Sequence, residues 1–130
     1  MSTRRKIAIQ TDQAPRPRGA YSQGIQFGSL VFTAGLGPIH PETGEIVGQS
    51  VADQTRQVIL NLQAILQEKG LGLADVLKTT VHLQYLERDF PEFNRVYLEL
   101  FSEPRPVRTT VGSTLMGILV EIDCIAGIPE

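Results

Sequence analysis

The chain has 130 residues, 42% of them hydrophobic, with one cysteine and no tryptophan; this suits one globular domain, which buries roughly two thirds of its unfolded surface on folding. Twelve Lys and Arg against fourteen Asp and Glu give a formal net charge of -2, too little positive field to neutralise phosphates, so nucleic acid is not an expected partner. No run approaches the ~18 apolar residues of a membrane span, nor does Ile7-Ala8-Ile9 make a secretory core, so a soluble cytoplasmic chain is expected.

Residues 1–130 are read as a single domain. Arg4, Arg5, Lys6, Arg16 and Arg18 cluster near the N-terminus, which reads as solvated terminal charge. Cys124 has no partner for a disulfide, which fits a reducing compartment, and its apolar strand context makes it a small core side chain rather than a nucleophile.

Ile7 to Ile9 is a short predicted strand, and the Pro- and Gly-rich run 11–19 an irregular loop. Gly24 to Phe27 and Leu30 to Ala34 are β-rich and flank Gly28-Ser29, a two-residue hairpin signal. A turn-rich loop spans His40 to Glu45. From Ser50, a plausible N-cap, Val51, Thr55, Val58, Leu62, Ile65 and Leu66 recur at spacings of three or four and mark a helix that Gly70 ends. Leu77, Thr79, Val81, Leu83 and Tyr85 alternate with Lys78, Thr80, His82 and Gln84, the period of a half-buried strand. Asp89 is read as the cap of a second helix with Pro91 in its first turn and Phe90, Phe93, Tyr97, Leu100 and Phe101 on its apolar face. Glu103-Pro104-Arg105-Pro106 stops it. Two strands close the chain, about Val107 to Thr114 and Ile118 to Ile128.

The order is therefore βββαβαββ, and two helices cannot cover both faces of about six strands. An α+β fold follows, a mixed sheet with both helices on one face. In the last strand Ile118, Val120, Ile122 and Cys124 point one way, and Leu119, Glu121, Asp123 and Ile125 the other. Both faces are partly apolar, so homo-oligomerisation over the uncovered face is expected.

Chemistry is carried by Arg108, at the mouth of one strand, and by the carboxylates Glu121 and Asp123 on the next. On residues alone, Arg108 fits either a structural ion pair or a clamp for a small anion, and the two acids fit a solvated face as well as a site. Tyr21 is a cleft residue or a loop anchor, and Asn94 a site residue or a local backbone partner. His40 and His82 lack ligand spacing and a cysteine cluster, so no metal is expected. Gly35-Leu36-Gly37-Pro38 lacks the continuation of a dinucleotide loop and is read as allowing close backbone approach.

The motifs Gly19-Ala20-Tyr21-Ser22-Gln23-Gly24, Phe32-Thr33-Ala34-Gly35, Pro41-Glu42-Thr43-Gly44-Glu45, Asn61-Leu62, Lys78-Thr79-Thr80-Val81, Phe93-Asn94, Pro106-Val107-Arg108 and Val120-Glu121-Ile122, taken in order, resemble the RidA (YjgF) family over nearly the whole chain. The resemblance implies a chorismate-mutase-like subunit of the bacillus type and a homotrimer with clefts between subunits. It implies hydrolysis of 2-imino or enamine acids, such as 2-iminobutanoate and 2-iminopropanoate, to 2-oxo acids and ammonia, with no cofactor. It assigns Arg108 to the substrate carboxylate, Glu121 to the attacking water, and Tyr21, Gly35, Asn94 and Thr110 to the pocket lining. The chain departs from the family pattern at Ala34, Leu36 and Thr110, where serine, glutamine and cysteine are frequent, and is about two residues shorter between Arg108 and Glu121. A sensor or chaperone-like trimer without turnover, and an endoribonuclease or translation inhibitor, are the alternative activities.

Overall fold

Gly28 adopts φ 61°, as a type II′ turn demands of its first central residue, and so folds β1 (Ile7–Ile9), β2 (Gly24–Phe27) and β3 (Leu30–Thr33) into an antiparallel meander with Phe27 opposite Leu30. The computed structural model describes residues 5–130; Arg4 of the basic N-terminal cluster lies outside them. A long helix α1 (Val51–Gln67) follows, then β4 (Val76–Leu83), α2 (Leu86–Leu100), β5 (Val107–Gly112) and β6 (Val120–Gly127). The strands form one six-stranded sheet in the order β1-β2-β3-β6-β4-β5. β4 and β5 are its one parallel pair, joined by α2 as the crossover that parallel neighbours require.

α1 starts where its cap chemistry places it, with the Ser50 hydroxyl accepting from the Asp53 N–H at 3.1 Å. It ends with Leu71 N–H donating to Leu66 O and Gly70 N–H to Gln67 O, Gly70 taking φ 70°, the paired bonds of a Schellman closure. Val58, Leu62, Ile65 and Leu66 of α1 are buried with Phe93, Tyr97 and Phe101, and against Val31, Val81, Leu83, Val120, Ile122 and Cys124 of the sheet. The core thus lies between the helices and one sheet face. On the other face Phe27, Leu30 and Phe32 are more than a third exposed, as is Val111 on β5.

Several details differ from the sequence-based expectation. α2 begins at Leu86 with Tyr85 as its cap residue, so Asp89 is not a cap. It lies within the first turn, buried, and accepts two bonds from the neighbouring Arg88 guanidinium at 2.8 and 3.0 Å. Pro91 falls in the second turn, where it withholds an N–H from the Glu87 carbonyl. The ladder between β4 and β6 shifts register between Val76 and Lys78, which turns Leu77 outward, 51% exposed. Tyr85, as the helix cap, is exposed too. The last two strands are shorter than expected, because Ser113 to Leu119 forms an irregular connection; a short 3-10 turn at Leu73–Asp75 was not anticipated.

Asn61 is a buried polar residue in the middle of α1, and its amide donates to the carbonyls of Gly37 and Ile39 at 3.0 and 2.9 Å. Asn61→Ala strips both acceptors of their donor, and a lowered urea midpoint equivalent to about 2 kcal/mol is expected.

Candidate active site

Arg108 lies on edge strand β5 directly opposite Thr79 of β4, which is fully buried beneath the helices. Pleat therefore sends Arg108, and Thr110 two residues on, to the helix-covered side. The half-buried Arg108 side chain runs over α2. Its Nη1 donates to Asn94 Oδ1 at 2.9 Å, and its guanidinium carbon stands 4.7 Å from the Tyr97 ring centre, 5.6 Å from Phe90 and 5.7 Å from Phe93. Neither Nε nor Nη2 has a hydrogen-bond partner among the described residues, where no unpartnered side-chain nitrogen is buried. Those two donors consequently face solvent. They form the edge of the guanidinium that grips a carboxylate in bidentate fashion.

Glu121 sits on β6 opposite His82 of β4, on the uncovered face. Its carboxylate leans toward Gly35: a Cβ built on that glycine would stand 2.6 Å from Glu121 Oε2. The two are neighbours because Leu36 and Ile122 exchange backbone bonds of 2.8 and 3.1 Å. The same carboxylate borders an open concavity of about 730 Å³ whose lining includes Lys6, Tyr21, Phe32, Ala34 and Gly35. Tyr21 is 53% exposed, with its hydroxyl accepting the Arg18 N–H at 3.1 Å. On the helix side, buried Gln54 of α1 accepts the Leu119 N–H at 2.8 Å and donates to Gly48 O at 3.2 Å, which ties the entry to β6 to the helix.

The chain matches the family model described as Endoribonuclease L-PSP over residues 11–128. A RutC family protein of Pyrococcus abyssi is 46% identical over 123 residues, spanning 93% of this chain and 96% of that one. The chloroplastic Reactive Intermediate Deaminase A of Arabidopsis thaliana is 40% identical over 127 residues, 96% of this chain and 67% of the other. The chain belongs to the RidA/RutC family. Among solved structures, E. coli TdcF with bound serine superposes with a TM-score of 0.87 at 38% identity, over 95% of this chain and 99% of that one.

Within this chain the six residues assigned from the resemblance fall into two groups. Arg108, Asn94 and Thr110 share the helix side at the β5 edge; Glu121, Tyr21 and Gly35 share the concavity on the open side. A single copy does not bring the groups together. Asn94 meets Arg108 directly rather than only lining a pocket. Sequence reading missed Gln54, whose only signal was its register with buried neighbours, and gave Asn61 a place in a family motif without its anchoring role. It also placed Phe90, Phe93 and Tyr97 in the core without seeing that Arg108 rests on them.

Burial pushes the Cys124 thiol up to about 12, so it stays protonated and unreactive at neutral pH. Burial, partly offset by His82 and Lys78, raises the Asp123 carboxyl above its ordinary value. A raised folded-state value stabilises the fold below the ordinary aspartate range and loses that contribution as pH rises through the raised value. Asp123→Asn is accordingly expected to raise the thermal midpoint at pH 7, with the difference closing as a titration descends toward pH 3. Gly35→Ala, by contrast, should leave the thermal midpoint nearly unchanged, since the flexible end of Glu121 can move aside. Its methyl group occupies the carboxylate's place, so the mutant should lose ligand-dependent function in any assay that needs Glu121.

Proposed function

We propose that the protein is a homotrimeric hydrolase that deaminates 2-imino acids and their enamine tautomers to 2-oxo acids and ammonia. Its cleft is formed where the β5 edge of one copy meets the open face of another, so that Arg108 grips the substrate carboxylate while Glu121 of the partner subunit handles water. The observation that carries this reading is the division of the site into two incomplete halves, a carboxylate-gripping edge and a carboxylate-bearing concavity, in a family with a member named as a reactive-intermediate deaminase. The exposed apolar side chains Phe27, Leu30 and Phe32 around the second half fit a surface covered by another copy.

In the reaction a water oxygen bonds to C2 as the C=N π pair moves to nitrogen. Glu121 takes one proton from water and delivers it to nitrogen, giving the carbinolamine; it then relays the carbinolamine's hydroxyl proton to the amine, so that the C–N bond breaks, ammonia leaves and C=O forms. Tyr21 and the backbone at Gly35 line the space beside the reacting carbon, and Thr110 flanks Arg108 on its strand. Imines hydrolyse unaided, so acid–base help of about 10² to 10⁴ suffices, with positioning by Arg108 supplying the rest. No cofactor takes part. No helix among the described residues is long and apolar enough to cross a membrane, and the proposed setting is a cytoplasmic enzyme acting on free metabolites.

A second reading, a trimer that binds small carboxylates without turnover, is favoured by the serine in TdcF, an amino acid that presents the same α-carboxylate. An endoribonuclease role, which the family model's description carries, meets the net charge of -2 and would announce itself by steeply salt-dependent RNA binding.

With 2-iminobutanoate generated in situ by an amino-acid dehydratase, the protein is expected to accelerate 2-oxobutanoate release. Arg108→Ala should abolish the acceleration, and Arg108→Lys should recover little of it, because an ammonium cannot form the paired bonds. Glu121→Gln should lower the rate by about 10² or more while retaining product binding. Retention of full activity by Arg108→Ala would remove the proposed clamp, and binding of 2-oxobutanoate with no acceleration would select the second reading.

A further inference from the structure

Phe90, Phe93, Tyr97 and Phe101 follow one another along α2 at spacings of three and four, with successive ring centres 6.3, 5.6 and 4.5 Å apart. This row does more than fill the core. Tyr97 is 2% exposed, and its hydroxyl shares a 2.8 Å bond with Thr79 Oγ1, the residue opposite Arg108 in the ladder. The strand neighbour of Arg108 thus fixes the ring on which Arg108 lies. Asn94, on the same helix one turn from Tyr97 and Phe90, takes Nη1. The guanidinium carbon lies 4.7 Å from the Tyr97 ring centre and one of its nitrogens is bonded, while Nε and Nη2 have no partner among the described residues and are not buried.

We propose that Asn94 and the ring row of Phe90, Phe93 and Tyr97 form a cradle that positions Arg108, holding its guanidinium flat with a single free edge for the ligand's carboxylate. These are positioning residues, acting on the ligand only through Arg108. The inference rests on the proposed function for its catalytic consequence, but the cradle itself is defined by binding. A half-desolvated guanidinium with one open edge favours a carboxylate approaching in the guanidinium plane, where two parallel bonds form. It disfavours a carboxylate that reaches the cation from above, since the rings occupy that approach. Arginine over an aromatic face gains about 0.5 to 2 kcal/mol according to its desolvation, and the Asn94 bond removes rotational freedom that the free side chain would otherwise lose on binding.

Three variants separate positioning from mere stability. Asn94→Ala keeps a strong helix former and removes only the bond to Nη1. Asn94→Asp keeps the shape but puts a carboxylate beside Arg108, which competes with the ligand for its charge. Phe90→Leu keeps apolar bulk at a half-buried position and removes one ring face. Calorimetric titration with 2-oxobutanoate, alongside KM and kcat for in situ 2-iminobutanoate, reads all three. The expected result is a Kd and KM raised about tenfold for Asn94→Ala and about threefold for Phe90→Leu. Asn94→Asp should be the weakest binder, and kcat should stay close to wild type for Asn94→Ala and Phe90→Leu. The Arg108 Nε–H proton, assigned by its loss in Arg108→Lys, should resonate upfield from ring currents and move downfield in Phe90→Leu. Kd values within twofold of wild type for all three variants, with the wild type binding, would overturn the cradle. Wild-type binding without turnover overturns the deaminase reading instead and leaves the order of Kd values to decide the cradle; wild-type failure to bind 2-oxobutanoate overturns both.

Discussion

The pleat of a β-sheet sends alternate residues to opposite faces, and this one constraint keeps Arg108 and Glu121 apart. Arg108 stands in register with Thr79, which is buried under the helices, whereas Glu121 stands in register with His82 on the uncovered side. No side-chain rotation crosses the sheet. A cation and a carboxylate that belong to one site must therefore come from two copies, or the site does not exist. The cleft proposed between copies rests on this geometry together with the family.

Each half is held by residues chosen for anchoring rather than for chemistry. The α2 rings and Asn94 fix the guanidinium; Gln54 and Asn61 bracket the segments leading to Glu121 and following Gly35. Both amides are buried and fully engaged, and buried polar groups of this kind specify one arrangement, because every alternative leaves a donor or acceptor without a partner. The Leu36 bridge to Ile122 then sets the distance between Gly35 and Glu121. Helix α1 is thus a core element on its apolar stripe and a bracket on its polar positions.

The sequence made the element order, the first hairpin, the α1 caps and the buried sides of β4 and β6 legible, since periods of two and 3.6 are direct consequences of burial on one face. It misled at Asp89, where Asp-Phe-Pro imitates a helix start; the helix begins earlier because the Tyr85 carbonyl already accepts the Asp89 N–H. It misled at Leu77, because a register shift is a property of two strands and leaves no mark in one. The six site residues came from the family resemblance, and their division between two faces followed only once the strand pairing was known. The anchoring roles of Gln54 and Asn61 were hidden for a different reason: a polar residue within a helical pattern reads as solvated until the loop it binds is placed.

Edge strands bring the last step. β5 ends the sheet with unpaired backbone groups and with Val107 67% exposed, an arrangement that invites association unless something covers it. It is also the strand that carries Arg108. If a second copy covers that edge in the way proposed, one contact removes an aggregation-prone border, buries the apolar open face and completes the ligand cleft. Assembly and ligand affinity are then linked by mass action: a carboxylate that binds only the completed cleft stabilises the assembly, and dilution that separates the copies weakens the site. In that assembly, the pleat that divides the site within one chain would couple its function to the joining of chains.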